Sequence, residues 1–339
     1  MKTLPSNDSV SQSAIAEIRA ELDLAQAAAR DLAWESLSEN TRRLYESDWR
    51  GFLSWVQRAQ SANSALCALP ANDETLALYV GAHVDDKPST LARRLAAIRL
   101  MHNWSRHESP FDTAPSFIAV YAGYKRRWAS RCPSKSSQTA ATESILKKMV
   151  DSQPIDSMLG LRNRALLLIG FDAALRRSEL VGIDIEHITA QSDGLELYLP
   201  KSKSDQMGDG NSVFLLARSA SEYCPVSALS SWLDISKIND GAVFRRLHRC
   251  GLSLRLGSER LSGKAVYRLV KDTAANCGVA GRFGAHSLRR GLITSALQSN
   301  QNIGAIQGHV RHQNLSTTSR YAEQVKGFDS HPGKELLGG

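Results

Sequence analysis

The sequence predicts a mainly α-helical protein with a small β component, an α+β architecture in two parts. Three observations carry that expectation. Residues 13–131 repeat their apolar positions at helical spacing, with short polar connections. Cys132–Glu143 is rich in serine, threonine, alanine and lysine and has no apolar period. Beyond it helical spacing resumes, but Leu195–Pro200 alternates sides, with Leu195, Leu197 and Leu199 against Glu196 and Tyr198. Ser212–Leu216 returns across a polar, glycine-bearing turn, Lys201–Asn211, so this pair reads as a β-hairpin.

In chain order, residues 1–12 read as an unstructured arm. A helix over Ser13–Leu32 places Ile15, Ile18 and Leu22 on one stripe. Ser38-Glu39-Asn40-Thr41 opens the next helix, which runs through Val56 and leaves Arg42, Arg43 and Arg50 outside its apolar face. Asn72–Gly81, Ser89–Trp104 (capped by Ser89) and Ser116–Ala129 complete an all-helical half. The second half adds helices at Glu143–Ser152, Arg162–Ala174, Val226–Ser236, Ser262–Cys277, Ser287–Ser299 and Ile303–Gln307, around the hairpin. The expected divisions are 1–33 (arm and first helix), 34–131 (helical domain), 132–142 (linker), 143–325 (mixed domain) and 326–339 (tail).

Bulk properties narrow the function. The 339 residues, 42% hydrophobic, suffice for two cores. Lysine and arginine total 42 against 34 acidic residues, a formal charge of +8. The excess is local: Gly241–Arg311 holds twelve lysines and arginines opposed only by Glu259 and Asp272. Such a patch suits a polyanionic partner, and it is also compatible with a solvated basic face. The five cysteines are scattered and odd in number, without Cys-x-x-Cys, which fits a reducing compartment. No secretory leader or membrane-length apolar run is recognisable, so a soluble, intracellular protein is expected. His309 and His312 lack a third ligand at recognisable spacing, and no metal is expected.

The residues that can do chemistry lie near the carboxyl end. His286-Ser287-Leu288-Arg289 puts an arginine one helical turn after a histidine, where both can face one point. Thirty-two residues past Arg289 stands Tyr321, in Ser316-Thr317-Thr318-Ser319-Arg320-Tyr321. Metal-free phosphodiester exchange needs fixed cations facing the nonbridging oxygens, a hydroxyl nucleophile and groups that move its proton. Arginine suits the first task because its planar fork donates paired hydrogen bonds to phosphate. Ala174-Leu175-Arg176-Arg177-Ser178-Glu179-Leu180 closes an apolar helix and offers Arg176, either paired with Glu179 as a surface ion pair or held by it toward a phosphate. Lys203, in the hairpin turn, has a reach that suits a proton donor; Lys201 competes with it.

Arg176, Lys203, the His286–Arg289 pair and the Ser316–Tyr321 segment, in this order and spacing, resemble the tyrosine recombinases of the phage integrase family. The similarity covers roughly residues 35–339. Thirty-five residues separate His286 from Tyr321, and His312 stands nine before Tyr321, which are the family's intervals. The resemblance implies a core-binding helical domain followed by a catalytic domain, in a site-specific DNA recombinase. Tyr321 would attack the scissile phosphate and leave a 3′-phosphotyrosine with a free 5′-hydroxyl. Arg176 and Arg289 would clamp the phosphate, His286 would assist there and share in proton transfer, and Lys203 would protonate the leaving 5′-oxygen. His312 would donate a hydrogen bond to the phosphate, and Glu179 would support the cluster. No cofactor, metal or ATP is implied. Three positions depart from the family pattern. Ala174 stands where glycine is common, Gly308-His309 offers a rival to His312, and Lys201 rivals Lys203. A type IB topoisomerase and a non-catalytic DNA-binding regulator remain the alternatives.

The resemblance also implies double-stranded DNA carrying an inverted-repeat site as the partner. The chain would bind one site as a dimer and form a cyclic tetramer in the synapse, with 326–339 exchanging between protomers, and no membrane would be involved. Arg42, Arg43, Arg93 and Arg94 in the first domain, and Arg245, Arg246, Lys264 and Tyr267 in the second, are the expected DNA contacts. Lys264 is placed to read guanine acceptors in the major groove. The place of work would be the cytoplasm, on nucleoid DNA.

Overall fold

A computed structural model describes residues 12–105, 107, 110–131, 138–200, 210–218, 221–250, 253–314, 316–319 and 321. It divides into two compact units, Met1–Lys135 and Ser136–Gly339. Among the described residues no helix is long and apolar enough to cross a membrane.

The first unit is built from α1 (Gln12–Glu35), α2 (Glu39–Gln60), α3 (Asp73–Ala82), α4 (Pro88–Trp104) and α5 (Pro115–Arg131). Ser38 caps α2 by accepting from the Thr41 amide, and Asn72 caps α3 through Thr75. The expected cap at Ser89 is corrected: α4 starts one residue earlier, after extended Lys87, because Pro88 suits a first helical turn that needs no N–H. The core joins Phe52 and Val56 of α2, Leu76 and Tyr79 of α3, Leu91 and Ile98 of α4, and Phe117 and Tyr124 of α5. Phe52 and Tyr79 meet edge to face at 5.0 Å. Buried His102 accepts from the Ala71 amide through Nε2 and donates through Nδ1 to the Ile98 carbonyl, each at 2.8 Å. That pairing fixes a neutral tautomer, and burial holds its pKa below the ordinary histidine value. The stripe of α1 stays largely uncovered, with Ile15 and Ile18 about half exposed (47% and 52%).

In the second unit, residues 138–141, which fall inside the expected linker, are fastened to this unit instead. The Thr139 amide donates to the Arg282 carbonyl and the Ala141 amide to the Ser287 carbonyl. There follow α6 (Glu143–Asp151), α7 (Met158–Asp172), the short α8 (Arg177–Val181), and strands β1 (Ile188–Gln191), β2 (Gly194–Leu199) and β3 (Asn211–Leu216). The order β1-β2-β3 is antiparallel throughout, with Leu195 opposite Leu215 and Leu197 opposite Val213. Next come α9 (Pro225–Ser236), the ribbon β4 (Arg245–Cys250) and β5 (Ser253–Arg260), then α10 (Gly263–Asn276), α11 (His286–Gln298) and α12 (Ile303–Val310). Helix α7 lies at the centre, burying Ala165, Leu166 and Ile169 against Trp232 of α9, Leu197, Val213 and Phe244. Its other side meets α6 and α11 through Leu167, Leu168, Met149 and Leu288. Strand β1 and the β4–β5 ribbon were not expected from the sequence. The ribbon's strands are mostly polar: Leu247 stands alone in β4, and in β5 the alternation is limited to Leu254 and Leu256, too short to stand out.

Candidate active site

The site forms where α7 ends, α8 begins, and α11 and α12 close against them. After α7 the chain turns through Ala174, whose φ of +46° is left-handed. Ala174 is fully buried there, a conformation that glycine takes more easily. Arg176 then caps α8. Glu179, with 1% of its side chain exposed, accepts from the Arg176 amide at 2.8 Å through Oε2 and from Arg176 Nη1 at 2.6 Å through Oε1. The same Oε2 accepts from Arg311 Nη2 at 3.0 Å. Burial alone would raise the Glu179 pKa, but the Arg176 amide and the two guanidiniums outweigh it and hold the carboxyl below its ordinary range.

Among the described residues Arg289 is the most enclosed cation, at 1% exposure. Its Nη1 donates to the Ala174 carbonyl at 2.7 Å and its Nη2 to the Val310 carbonyl. Those carbonyls lie just past the end of α7 and at the last residue of α12, where helix dipoles favour a cation. Burial, with Arg176 and Arg311 nearby, lowers the Arg289 pKa to about 10, so it stays charged at neutral pH. His286 opens α11 one turn before Arg289. The residue is exposed. Partial loss of hydration, with the charges of Arg289, Arg290 and Arg176, holds its pKa below the usual value.

His312 follows α12. Burial and the positive charge of Arg289 and Arg176 push its pKa down to about 4, so it is neutral at physiological pH. Its Nδ1 hydrogen-bonds Thr318 Oγ1 at 2.9 Å, and its ring lies nearly parallel to Tyr321 with centroids 6.4 Å apart. Tyr321 packs on an apolar cluster of Ala174, Ile293, Leu297, Ile306 and Val310. Arg290 stands 4.8 Å over the tyrosine ring, and its Nη1 donates to the phenol oxygen at 3.5 Å. The phenol is near enough to weigh on the Arg289 charge.

The structure thus brings together Arg176, Glu179, His286, Arg289, His312 and Tyr321. Lys203 and its rival Lys201 lie outside the described residues. His309 is part-buried, and its Nε2 donates to the Asp172 carbonyl at the end of α7, 2.7 Å away. Three members were missed from the sequence: Arg290, Arg311 and fully buried Thr318. Arg290 and Arg311 each directly follow or precede a residue picked for the site, and that adjacency was the available signal.

Of the expected DNA contacts, Arg246 and Lys264 border an open groove of about 520 Å³ with Arg162, Arg260 and Arg268. Tyr267 is exposed on the same helix as Lys264. Arg245 folds back onto the Asp240 carboxylate at 2.8 Å and the Ala242 carbonyl at 3.1 Å. In the first unit Arg93 grips buried Asp48 with two hydrogen bonds, and Arg94 pairs with Asp86 at 2.5 Å. Arg43 donates to Asn40, and Arg42 lines a surface hollow beside it.

A helical unit, a mixed α+β unit, and guanidiniums gathered beside a tyrosine mark an enzyme that handles phosphodiesters. The sequence pattern of the phage integrase family matches residues 140–327. An integrase/recombinase XerD homologue of Selenomonas ruminantium is 33% identical over 294 residues, covering 86% of this chain and 83% of the relative. Among solved structures, a XerH site-specific recombinase bound to its palindromic difH substrate aligns over 85% of this chain and 80% of its own, with TM-score 0.57 and 16% identity. A lambda integrase dimer bound to a COC′ core site aligns over 94% of this chain and 82% of its own, with TM-score 0.52 and 16% identity. The chain belongs to the phage integrase family. It is a site-specific recombinase of the tyrosine class.

Proposed function

We propose that the chain breaks DNA by attack of Tyr321 Oη on a backbone phosphorus. The bond to the 5′-oxygen breaks as the phosphotyrosine bond forms, leaving a 3′-phosphotyrosine and a free 5′-hydroxyl. The ester keeps the energy of the broken bond, so a second 5′-hydroxyl can reverse the attack without ATP. Arg176 and Arg289 face the nonbridging oxygens and meet the charge that grows there, which removes the need for a metal. Arg289 has five N–H donors and uses two on carbonyls, so others remain for a phosphate. Neutral His312, with Nδ1 on Thr318, can offer an Nε2–H to the same phosphate. His286, with a depressed pKa, accepts and returns the nucleophile's proton. Lys203 protonates the leaving oxygen, and Glu179 orients Arg176. The observation that carries this reading is the meeting of Tyr321 with the arginine–histidine cluster inside one unit.

The DNA partner is a duplex with an inverted repeat, bound by a dimer and joined to a second site in a cyclic tetramer, in the cytoplasm on the nucleoid. The lambda integrase dimer on its core site, a fold relative, supports the dimeric step. Arg246 and Lys264 contact DNA from the groove beside α10, and Tyr267 from the exposed face of that helix. Arg42 and Arg43 are the freer pair of the first unit, whereas Arg93 and Arg94 contribute chiefly through the helix they brace.

The test uses a pool of nicked duplexes with a randomised core. The nick releases the 5′-hydroxyl fragment and traps the covalent complex. Wild-type protein should yield a denaturation-resistant adduct whose DNA converges on one sequence, and Tyr321→Phe should bind that sequence without forming the adduct. A wild-type protein that forms none, or a Tyr321→Phe protein that still does, refutes the proposal.

A further inference from the structure

Arg311 ends α12 with φ +55° and ψ 48°, a left-handed conformation that L side chains adopt only with strain. Glycine would end the helix there without it. The side chain does not escape to solvent: 9% of it is exposed. It runs back under the site, where Nη2 reaches Glu179 Oε2 at 3.0 Å and Nη1 reaches the His309 carbonyl at 3.1 Å and the Ala173 carbonyl at 3.4 Å. A strained backbone supporting a buried cation is an arrangement that helix termination alone does not call for.

Its partner gives the reason. Glu179 holds Arg311 on one carboxylate oxygen and the Arg176 guanidinium on the other. A carboxylate is planar, so fixing one oxygen fixes the direction from which the other receives Arg176. Arg311 also precedes His312 in the chain, and its contacts with Ala173 and Glu179 tie the end of α12 to the start of α8. One side chain therefore sets the relative placement of two groups proposed to hold the phosphate.

We propose that Arg311 is a positioning residue for strand cleavage, acting through Glu179 on Arg176 and through its own main chain on His312, without contacting DNA. The inference rests on the roles proposed above for Arg176 and His312.

The test compares wild type, Arg311→Gly, Arg311→Lys and Glu179→Gln on the duplex recovered by the wild-type protein. Arg311→Gly relaxes the backbone, which offsets part of the loss of its buried ion pair, so its melting temperature should fall less than that of Glu179→Gln, in which Arg176 loses its counter-charge as well. Single-turnover cleavage should fall about a hundredfold, the loss that a displacement of about 1 Å can cause, while DNA affinity changes less than about threefold. Arg311→Lys, keeping a cation within reach of Glu179, should recover part of the rate. The acid limb of the cleavage–pH profile should move up in Arg311→Gly, because removing a positive neighbour makes His312 easier to protonate. Combining Arg311→Gly with Glu179→Gln should cost no more than the larger single loss. Wild-type cleavage by Arg311→Gly overturns the inference, as does a rate loss matched by an equal loss of DNA affinity. If Arg311→Gly fails to fold, Arg311→Lys and Glu179→Gln still decide, since additive losses from those two contradict coupling through one carboxylate. An adduct that forms in wild type and vanishes in Tyr321→Phe keeps the parent reading intact whichever way Arg311 falls; a wild type without adduct removes both.

Discussion

Gly291 sits in the middle of α11, two residues past Arg289. A Cβ there would lie 1.8 Å from the Ala141 carbonyl oxygen, 2.5 Å from its carbon and 3.1 Å from the Phe171 ring. Carbon–oxygen contacts settle near about 3.3 Å, so Gly291→Ala forces a separation of about 1.5 Å. The obstacle is main chain, fully buried, and fastened to α11 by the Ala141–Ser287 hydrogen bond at 2.9 Å. Two effects oppose each other. Alanine gains about 1 kcal/mol in helix propensity over glycine. Overpacking costs about 1–3 kcal/mol, and losing the Ala141 bond about 1 kcal/mol more. The clash wins, and the net loss should be about 1–3 kcal/mol. Because α11 carries His286, Arg289 and Arg290, a shift beyond about 1 Å should also slow single-turnover cleavage by about a hundredfold. Denaturant unfolding followed at Trp232, the one tryptophan of the second unit, reports the first quantity; adduct formation on saturating duplex reports the second. A Gly291→Ala protein as stable and as fast as wild type would show that 138–141 does not brace α11.

Glu179→Gln should destabilise the second unit by up to about 3 kcal/mol, since it leaves the Arg176 and Arg311 guanidiniums, 23% and 9% exposed, without their counter-charge. The lowered Glu179 pKa means that its contribution is present above the ordinary carboxylate pKa and disappears as pH falls through the folded value. Acid unfolding should therefore be less steep in the glutamine variant, which titration of unfolding between about pH 5 and 2 will measure. His286 and His312 both have depressed pKa values, so their neutral forms persist under mild acid. Cleavage should hold until the pH falls well below about 6.5, while stability declines over that range because the unfolded histidines take up protons that the folded ones refuse. A cleavage profile that breaks at the ordinary histidine value would contradict this. His309→Ala should lower stability by about 1 kcal/mol, through the lost bond to Asp172, yet leave cleavage within about threefold. Thr318→Val should slow cleavage about tenfold by releasing His312 Nδ1, and Thr318→Ser should restore it; equal rates in both variants would remove the hydroxyl from the mechanism.

Most helices were legible because they bury an apolar face, and several begin at a recognisable cap, as Ser38, Asn72 and Ser262 do; α1 was legible from its spacing although its stripe is uncovered. The β2–β3 pairing was legible because Leu195, Leu197 and Leu199 alternate. The β4–β5 ribbon was not, because only Leu247 and Leu256 reach the core and the third leucine, Leu254, is exposed among polar residues. In the site, His286, Arg289 and Tyr321 could be read from spacing. Arg311 could not: its place depends on a left-handed turn that sends a surface-type residue back inside, and spacing carries no sign of φ. Arg93 and Arg94 carry internal pairings that the sequence did not announce. Adjacent arginines on a helix suggest an external partner, yet buried Asp48 and nearby Asp86 had already claimed them.

Arg289 joins the carbonyl of Ala174 to that of Val310 while facing the place assigned to phosphate. The same fork is thus a keystone between two helix ends and a tool of the reaction. Shortening it removes both at once, so an inactive Arg289→Ala protein would not by itself reveal how much of the lost rate belonged to chemistry. Arg289→Lys would not separate them either, since an ammonium cannot span both carbonyls in one plane. The clean dissection must come from the DNA: replacing the scissile phosphate by a neutral methylphosphonate removes the charge the guanidinium serves and leaves the masonry of the protein untouched.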